Sequence, residues 1–475
     1  MQRSLTLDSL RGYAIITMVL SGSIAFGDTL PAWMYHAQVP PPLHKFIPTL
    51  PGISWVDLVF PFFLFTMGAA IPLAFQQNKA AKFSLGQVAL QAFKRYVLLA
   101  FFALFTHHLM PWVLSSNPTI VHFLLSIFAF VLVFFQLYQY KKIKYAILFK
   151  ILKVASFAIA VALLYFLPFK NNTGFSFMAS DIIIMVLANM AFFGTIIWWV
   201  TRHNPMLRLG ILPFIMGIFL SAKAGQGWAS TLFNVESIAG FKINGLYQFY
   251  FLKYLFIVIP GTLAGEYFIQ ASLSNTKTFT VPVAKEAPQK IWLIGSLAFA
   301  IVASNTILLF GRFLLLNLAV TIILLVAIYV LQKKYVSHQR TLLFQFFNAG
   351  CYLLLLGLCF EAYEAGIKKD SSTYSYYFVT SGLAFFMLIG FSTLQYSKMG
   401  NVVLNYISLI GKNPMVAYIA GNLLVQPLLH ITTANLLMDA LNANAYLGFL
   451  KGIIFTSIVS LITIFFTKRG WFWKT

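Results

Sequence analysis

Long apolar runs recur along the whole chain, separated by short polar segments. A helix needs about 18 apolar residues or more to cross the hydrocarbon core of a membrane, so each long run predicts a transmembrane helix. The run at 208–221 is short and contains Pro213 and Gly217, which favours a half-helix or a re-entrant segment there. The predicted spans lie near 10–26, 55–75, 96–113, 119–138, 146–167, 179–200, 208–221, 247–269, 291–310, 313–331, 342–364, 377–395, 413–430 and 447–466.

Composition agrees with this pattern. Hydrophobic residues make up 60% of the 475 residues and charged residues only 9%, whereas a soluble domain needs about a quarter of its residues charged. The first apolar run has no cleavable leader ahead of it and is predicted to stay as the first helix. The sequence therefore predicts an all-α polytopic transmembrane helix bundle of about 12 to 14 spans, with residues 1–475 in a single domain.

The excess of cations indicates an orientation. The chain has 33 Lys and Arg against 11 Asp and Glu, and most of these cations fall in alternate short loops. That is the pattern of topology signals and not of a nucleic-acid groove, so it predicts cytoplasmic N- and C-termini and no nucleic-acid partner. The loop 271–290 is predicted to be a flexible cytoplasmic connector. The loops 27–54 and 222–246 fall on the opposite face, and their Gly, Pro and aromatic residues favour a functional site there.

The sequence excludes several kinds of chemistry. Cys351 and Cys359 lie eight residues apart in one apolar run, so neither a disulfide framework nor a CxxC site is predicted. The chain has no HExxH, GxSxG, Walker A or GxGxxG pattern in the right context. We therefore expect no metal.

The strongest catalytic candidates lie in and after the loop 27–54. Asp57 stands at the outer end of the second span, and the loop carries Asp28, His36 and His44, with three prolines between the two histidines. A histidine can accept a proton near neutral pH, and a carboxylate that fixes its tautomer makes it a better base. His36 with Asp57 or Asp28 meets this requirement, and His44 is an alternative. A structural role as a hydrogen-bonding loop histidine is the competing interpretation.

Other polar and aromatic residues have weaker patterns. Asp8 and Arg11 are three residues apart at the start of the first helix, which predicts a structural ion pair. Glu361 and Glu364 share one helical face, either as paired carboxylates or as an outer helix end that reaches the headgroups. Three tryptophans are candidates for stacking on a sugar ring or for the aromatic belt of the membrane, namely Trp33, Trp55 and Trp228.

Three stretches together resemble one family. The opening SLTLDSLRGYAIITMVL, the segment WMYHAQ followed by WVDLVFPFFLFTMG, and GKNPMVAYIAG with the terminal WFWK are similar to stretches of the heparan-alpha-glucosaminide N-acetyltransferase family. The resemblance covers about the first 75 and the last 65 residues, and DLVFP with its upstream histidine is its most specific part. A larger group of membrane O-acyltransferases begins similarly but carries a histidine where this chain has Ser21.

The resemblance implies an activity. That family moves an acetyl group from cytosolic acetyl-CoA to the amine of a terminal glucosamine across the membrane. Carried over by motif, His36 is the active-site histidine and Asp57 is the carboxylate of the second span. Acetyl-CoA is then a cosubstrate, and the sequence leaves open direct transfer or an acetyl-histidine intermediate. The Pro-rich loop is similar to a bacterial branch, which implies the bacterial inner membrane.

The resemblance also implies the binding partners. An amino sugar or the end of a glycan is the expected acceptor, membrane lipid surrounds the spans, and a homodimer is left open. An amino-sugar permease of the inner membrane is the alternative function. Residues predicted to hold the CoA are those near the cytoplasmic face, namely Arg95, Lys398, Lys412, Asn413 and Arg469.

Overall fold

The structure is a computed structural model. It describes residues 4–77, 83–140, 145–170, 173–223, 225, 227–233, 235, 237–238, 241–274, 291–336 and 342–474. The predicted connector 271–290 falls outside these residues from 275 onward, and its first part continues the preceding helix.

Long helices dominate the described residues. Thirteen of them are long and apolar enough to cross a membrane, so the protein is an all-α, multi-pass membrane protein. In chain order the long helices are α1 (Leu5–Ser21), α2 (Trp55–Gln77), α3 (Leu85–His108), α4 (Ile120–Leu137), α5 (Ala146–Phe166), α6 (Ile182–Thr201), α7 (Pro205–Lys223), α8 (Leu255–Ser274), α9 (Ile291–Phe310), α10 (Leu314–Tyr335), α11 (Leu342–Tyr363), α12 (Tyr374–Leu394), α13 (Lys398–Gly411), α14 (Pro414–Ile431) and α15 (Ala445–Lys468).

Shorter elements connect them. The brief helical segments are Ala32–Met34, Pro111–Leu114, Trp228–Phe233, Phe249–Tyr254, Asn435–Ala440 and Leu441–Ala443. A two-stranded antiparallel hairpin pairs β1 (Ser237–Ile238) with β2 (Phe241–Lys242). Within α14, Gly421–Val425 is a π-helical segment.

The chain is divided by its internal contacts into two compact units. Unit 1 contains 1–82, 256–412 and 443–452, and unit 2 contains 83–255, 413–442 and 453–475. Each unit is therefore assembled from segments that are far apart in the sequence, whereas the sequence predicted one domain.

Unit 1 is built around α12. The most apolar stretch of this helix is 94% buried, the largest fraction among the thirteen candidate spans, and α12 packs against α11, α9, α2 and α1. Helix α2 is the next most buried span and begins directly after the loop 27–54. In unit 2, α3 packs against α6, and α4 packs against α5 and α14.

The first helix lies five residues earlier than the sequence predicts. It runs over Leu5–Ser21 because the Ser4 side chain accepts a hydrogen bond from the Leu7 N–H at 3.3 Å and caps it, and Gly22 ends it. Asp8 lies in its first turn, as expected.

The prediction of a half-helix at 208–221 is wrong in length. Helix α7 has 19 residues because it begins before Arg208, whose guanidinium is fully buried and donates from Nε to the Thr201 hydroxyl at 3.2 Å. Pro213 remains inside the helix, which membrane helices tolerate because freed backbone groups find other partners.

The predicted loop after α12 contains another helix. Ser397 accepts a hydrogen bond from the Gly400 N–H at 2.9 Å and starts α13, which packs against α1. Hydropathy missed this helix because only one of its faces is apolar and buried.

Candidate functional site

Asp57 is held at the start of α2 by the loop that precedes it. Its carboxylate is 2% exposed, and Oδ2 accepts hydrogen bonds from the N–H groups of Ala37 at 3.1 Å and Ser54 at 2.9 Å. These donors keep a buried charge satisfied. The Asp57 carboxylate is therefore a fixed acceptor beneath the loop.

His36 rests on this carboxylate. Its Nδ1 lies 2.6 Å from Asp57 Oδ1, and its side chain is 38% exposed. Because a carboxylate that already accepts two N–H bonds is ionised and can only accept, we assign the ring proton to Nδ1. The lone pair of His36 then lies on Nε2. This arrangement is that of an oriented general base.

The loop is folded so that His36 keeps its place. The Tyr35 hydroxyl, next to it, donates to the Ala25 carbonyl at 2.5 Å, and the Ser54 hydroxyl donates to the Tyr35 carbonyl at 2.5 Å. Burial raises the pKa of the Tyr35 phenol above its ordinary value, so it remains a protonated donor. An apolar cluster packs below these bonds, formed by Ile24, Ala25, Leu30, Met34 and Tyr35.

The alternative residues His44 and Asp28 have other roles in the structure. His44 Nε2 lies 2.9 Å from the Gly27 nitrogen and 3.0 Å from its carbonyl oxygen, and the ring packs edge-on against Tyr35. His44 thus joins two parts of the loop through Gly27, whereas His36 contacts the Asp57 carboxylate of α2. Asp28 is exposed and forms no hydrogen bond with His36 in the described part of the chain. The structure therefore pairs His36 with Asp57 and not with Asp28, and the choice of His36 over His44 as the catalytic residue stays a prediction.

Lys369 is a third ionisable group at this site, and the predicted site residues did not include it. Its Nζ lies 3.3 Å from both ring nitrogens of His36. An atom equally distant from both nitrogens at this separation lies over the face of the ring, because in the ring plane it would collide with Cε1. Lys369 therefore leaves the in-plane lone pair of Nε2 open.

A buried amide holds Lys369 over His36. Gln38 is 3% exposed, its Oε1 accepts from the Asp370 N–H at 2.8 Å, and its Nε2 donates to the Asp370 carbonyl. The Gly52 N–H donates to the Ile367 carbonyl at 2.7 Å and joins the same two segments. The Tyr376 hydroxyl on α12 donates to the Asp57 carbonyl at 2.8 Å. The loop 27–54, the start of α2 and the segment before α12 thus form one hydrogen-bonded site.

One signal in the sequence points to Lys369. It falls in a loop predicted to be non-cytoplasmic, where lysines are scarce in this chain because cations collect on the cytoplasmic side. A cation on the face that also carries the candidate histidine is a reason to suspect function, although 333 residues separate the two in sequence.

The three candidate tryptophans are not alike. Trp55 is half-buried and packs against the apolar cluster below Tyr35, so its ring is engaged in packing. Trp33 is 53% exposed on the short helix Ala32–Met34, three residues before His36. Trp228 is 67% exposed and lines an apolar groove with Pro213 and Phe214 in unit 2. Of the three, Trp33 is the exposed ring that shares the His36 loop.

The predicted CoA-binding residues do not form a single cluster. Lys398 and Lys412 flank the two ends of α13 in unit 1, about 20 Å apart at 1.5 Å per residue, so they cannot bind the same phosphate. Asn413 is fully buried; its Nδ2 donates to the Trp471 carbonyl at 2.9 Å and its Oδ1 accepts from the Trp473 N–H at 3.2 Å. The Asn413 amide is therefore occupied by the backbone, and its assignment to CoA stays a prediction without support from its contacts.

The remaining two cations belong to unit 2. Arg95 is half-buried within α3. Arg469 is exposed and its guanidinium lies over the Phe465 ring, 5.4 Å from the centroid. Arg469 is thus accessible to an anion, and Arg95 is less exposed than Arg469.

Two further expectations concern ion pairs. Arg11 Nη1 lies 3.2 Å from Asp8 Oδ1, which is the predicted pair. Glu361 and Glu364 do not act as paired carboxylates: Arg312 Nη1 contacts Glu361 Oε1 at 2.5 Å, and Glu364 accepts from the Tyr374 and Ser375 N–H groups at 2.9 Å and caps α12.

A comparison with protein families found a match. The profile of a family described as a domain of unknown function (DUF5009) matches residues 3–268. The chain belongs to the DUF5009 family. The DUF5009 match includes His36 and Asp57, whereas Lys369 lies beyond it. A comparison with curated proteins found no match.

Proposed function

We propose that this protein is a membrane acetyltransferase. It moves acetyl from acetyl-CoA to the amine of glucosamine or a related amino sugar, at the face that carries the loop 27–54. The observation that supports this most is the 2.6 Å contact between His36 Nδ1 and Asp57 Oδ1, which leaves Nε2 as an oriented base. The resemblance of the first two helices to an N-acetyltransferase family supports the choice of acetyl and amine.

The chemistry requires such a base. An amino sugar is largely an ammonium ion near neutral pH, and only the free amine attacks a thioester. His36 Nε2 removes the proton, and Asp57 stabilises the resulting imidazolium through Nδ1. A positioned base of this kind contributes about 10²–10⁴ to the rate. Asp57 has to be buried and ionised for this role, and its two N–H donors meet that need.

Acetyl-CoA has to reach the site from the cytoplasm, because its phosphates cannot cross hydrocarbon. In this proposal the pantetheine arm enters the helical region while the phosphates stay at the cytoplasmic face. Lys398 is exposed and Lys412 is half-buried in unit 1, and each suits a different phosphate. Arg469, which is exposed in unit 2, is a separate candidate. The acceptor sugar binds at the opposite face, where Trp33 is exposed beside the His36 loop.

An amino-sugar permease is the competing function. The π-helical segment Gly421–Val425 within α14 favours it, because irregular turns inside membrane helices are frequent at functional sites. The permease reading gives no role to the contact between His36 and Asp57, so the acetyltransferase explains more of the site.

Purified protein in liposomes separates the two functions. We expect radiolabelled acetyl to pass from acetyl-CoA to glucosamine, and His36→Ala to lower kcat/KM by about 10²–10⁴ without loss of folded protein. Folding is checked by size-exclusion chromatography and the thermal midpoint. His203→Ala is the matched control, because His203 is an exposed histidine remote in sequence from the loop.

Two results contradict the proposal. One is transfer no higher than in empty liposomes with any amino sugar of the panel. The other is uptake of labelled glucosamine without acetyl-CoA that His36→Ala leaves unchanged, which is the permease result.

A further inference from the structure

We propose that Lys369 is a catalytic residue that stabilises the oxyanion formed when the acetyl thioester is attacked beside His36. The inference rests on the proposed acetyltransferase function and adds a group that neither the sequence motifs nor the matched family region contains. The juxtaposition that carries it is the ammonium of Lys369 over the ring of His36, 3.3 Å from both nitrogens.

The position of Nζ fits this role better than a role as the partner of Nε2. The in-plane lone pair of Nε2 is directed along the ring plane, toward the amine that it deprotonates, and the ammonium lies over the ring face. An acyl carbon attacked by that amine lies within one bond length of the amine nitrogen, so its oxygen comes to rest beside the ring. Among the residues that the structure describes, Lys369 is the cation that contacts the His36 ring nitrogens.

Charge favours the same reading. The Asp57 oxygens already accept from two N–H groups and from His36, and the contacts of the Lys369 ammonium go to the His36 ring and not to this carboxylate. Lys369 is half-buried as a residue, and an attraction between opposite charges is stronger in a partly buried position than in water. A preorganised donor aimed at developing negative charge is worth about 10²–10³ in rate.

The step balances as follows. His36 Nε2 takes one proton from the sugar ammonium, and the amine nitrogen forms a bond to the thioester carbonyl carbon. The C=O π pair moves onto oxygen, where the Lys369 ammonium donates a hydrogen bond to it. When the C=O bond re-forms, the C–S bond breaks and the thiolate of CoA leaves. The nitrogen loses its second proton to solvent, and the imidazolium returns its proton to the sulfur.

The Gln38 amide explains how the lysine keeps its position. Gln38 is in the His36 loop and binds both backbone groups of Asp370, the residue after Lys369. These bonds fix the backbone next to Lys369, so that ordering the lysine costs only the rotamer freedom of its side chain. The bonds between Gln38 and Asp370 thus join the two segments two residues after His36 and one residue after Lys369.

The experiment compares Lys369→Met with Lys368→Met in proteoliposomes. Lys368 is the adjacent residue and carries the same charge, so it controls for the local charge of the segment. We expect Lys369→Met to lower kcat about 10²–10³-fold with little change in the KM for glucosamine, and Lys368→Met to stay near the wild type. Lys369→Arg keeps the charge and is expected to retain part of the activity.

A second measurement tests the oxyanion directly. A trifluoromethyl ketone analogue of acetyl-CoA hydrates to a tetrahedral adduct that resembles the attacked thioester. We expect Lys369→Met to weaken inhibition by this analogue about as much as it lowers kcat, while the affinity for CoA itself is unchanged. A purely structural role would weaken both ligands or neither.

The outcomes are distinct. If the wild type transfers acetyl and Lys369→Met has an unchanged kcat, or changes only KM, the inference about Lys369 is wrong and the acetyltransferase stands. If Lys369→Met does not fold, Lys369→Arg and the analogue decide. A folded Lys369→Arg with wild-type kcat and unchanged affinity for the analogue supports a charge at this position. A folded Lys369→Arg that is inactive but binds the analogue with unchanged affinity overturns the inference. If the wild type itself transfers nothing, the proposed function fails first.

Discussion

Asp57 shows how one residue links the loop, the helix and the proposed chemistry. Its Oδ1 orients His36, and its Oδ2 accepts hydrogen bonds from two N–H groups of the loop. The same carboxylate therefore stabilises the loop and sets the tautomer of His36. Residues that orient a functional histidine through its second nitrogen are often as important as the histidine itself.

Asp57→Asn tests this dual role. The asparagine side chain can present an N–H to Nδ1, which forces the ring proton onto Nε2 and removes the base. We expect kcat for acetyl transfer to fall about 10²–10⁴-fold, while the thermal midpoint falls only modestly because an amide oxygen can still accept from the loop.

Asp28→Asn is the control for that variant, because Asp28 is an exposed carboxylate of the same loop. We expect it to leave both activity and stability unchanged. Asp57→Asn with activity within twofold of the wild type would show that the tautomer of His36 does not matter.

The residues of the site differ in how far the sequence indicates them. His36 and Asp57 are 21 positions apart and flank one loop, so a polar loop before a span was enough to suggest them. Lys369 is 333 positions from His36 and has no motif around it. Its role depends on a contact between two outer segments, which no local pattern encodes.

Helix α2 owes its position to close packing against α8. A Cβ on Gly68 would clash with the Val258 carbonyl oxygen, and a Cβ on Gly261 would clash with that of Phe65. Small residues at a crossing of membrane helices allow the backbones to approach, because lipid provides little hydrophobic drive for association. This crossing holds the helix whose first turn carries Asp57.

Gly68→Ala is therefore expected to destabilise the protein by about 1–3 kcal/mol, since the added methyl has no room. Gly210→Ala is the matched control: Gly210 lies in α7 and a Cβ there meets nothing within 4 Å. We expect this control to be neutral or to stabilise by up to about 1 kcal/mol, because alanine favours a helix over glycine. The thermal midpoint in detergent measures both, and a Gly68→Ala midpoint equal to that of Gly210→Ala would refute the close crossing.

Helix boundaries show where local pattern is enough and where it is not. The 20-residue apolar run of α9 has the same bounds in sequence and structure because it is uninterrupted. Helix α7 begins three residues before the predicted start at Arg208, where the Asn204 Oδ1 accepts from the Leu207 N–H at 3.0 Å. Hydropathy does not detect a capping side chain, so it missed this start.

At the scale of the whole molecule, the proposal depends on the orientation in the membrane. The distribution of Lys and Arg predicts cytoplasmic termini, which puts His36 on the opposite face from α13. A transfer from cytosolic acetyl-CoA to an external sugar is consistent with this orientation alone.

Cysteine labelling measures the orientation. In a Cys351→Ser/Cys359→Ser background, Lys45→Cys and Lys398→Cys each add one thiol at an exposed position. We expect a membrane-impermeant maleimide to label Lys45→Cys in intact cells and Lys398→Cys only after permeabilisation. The reverse pattern would place His36 in the cytoplasm and remove the transmembrane step.

The sequence by itself determined that this chain is an all-α membrane protein, where most of its spans lie and which loop carries the candidate base. These properties are local, because a run of apolar side chains and a polar loop beside it are read from neighbouring residues. The tertiary structure alone decided the division into two units, the choice of Asp57 over Asp28 as the partner of His36, and the presence of Lys369. Those features depend on contacts between segments that are distant in the chain, and hydropathy carries no information about such contacts.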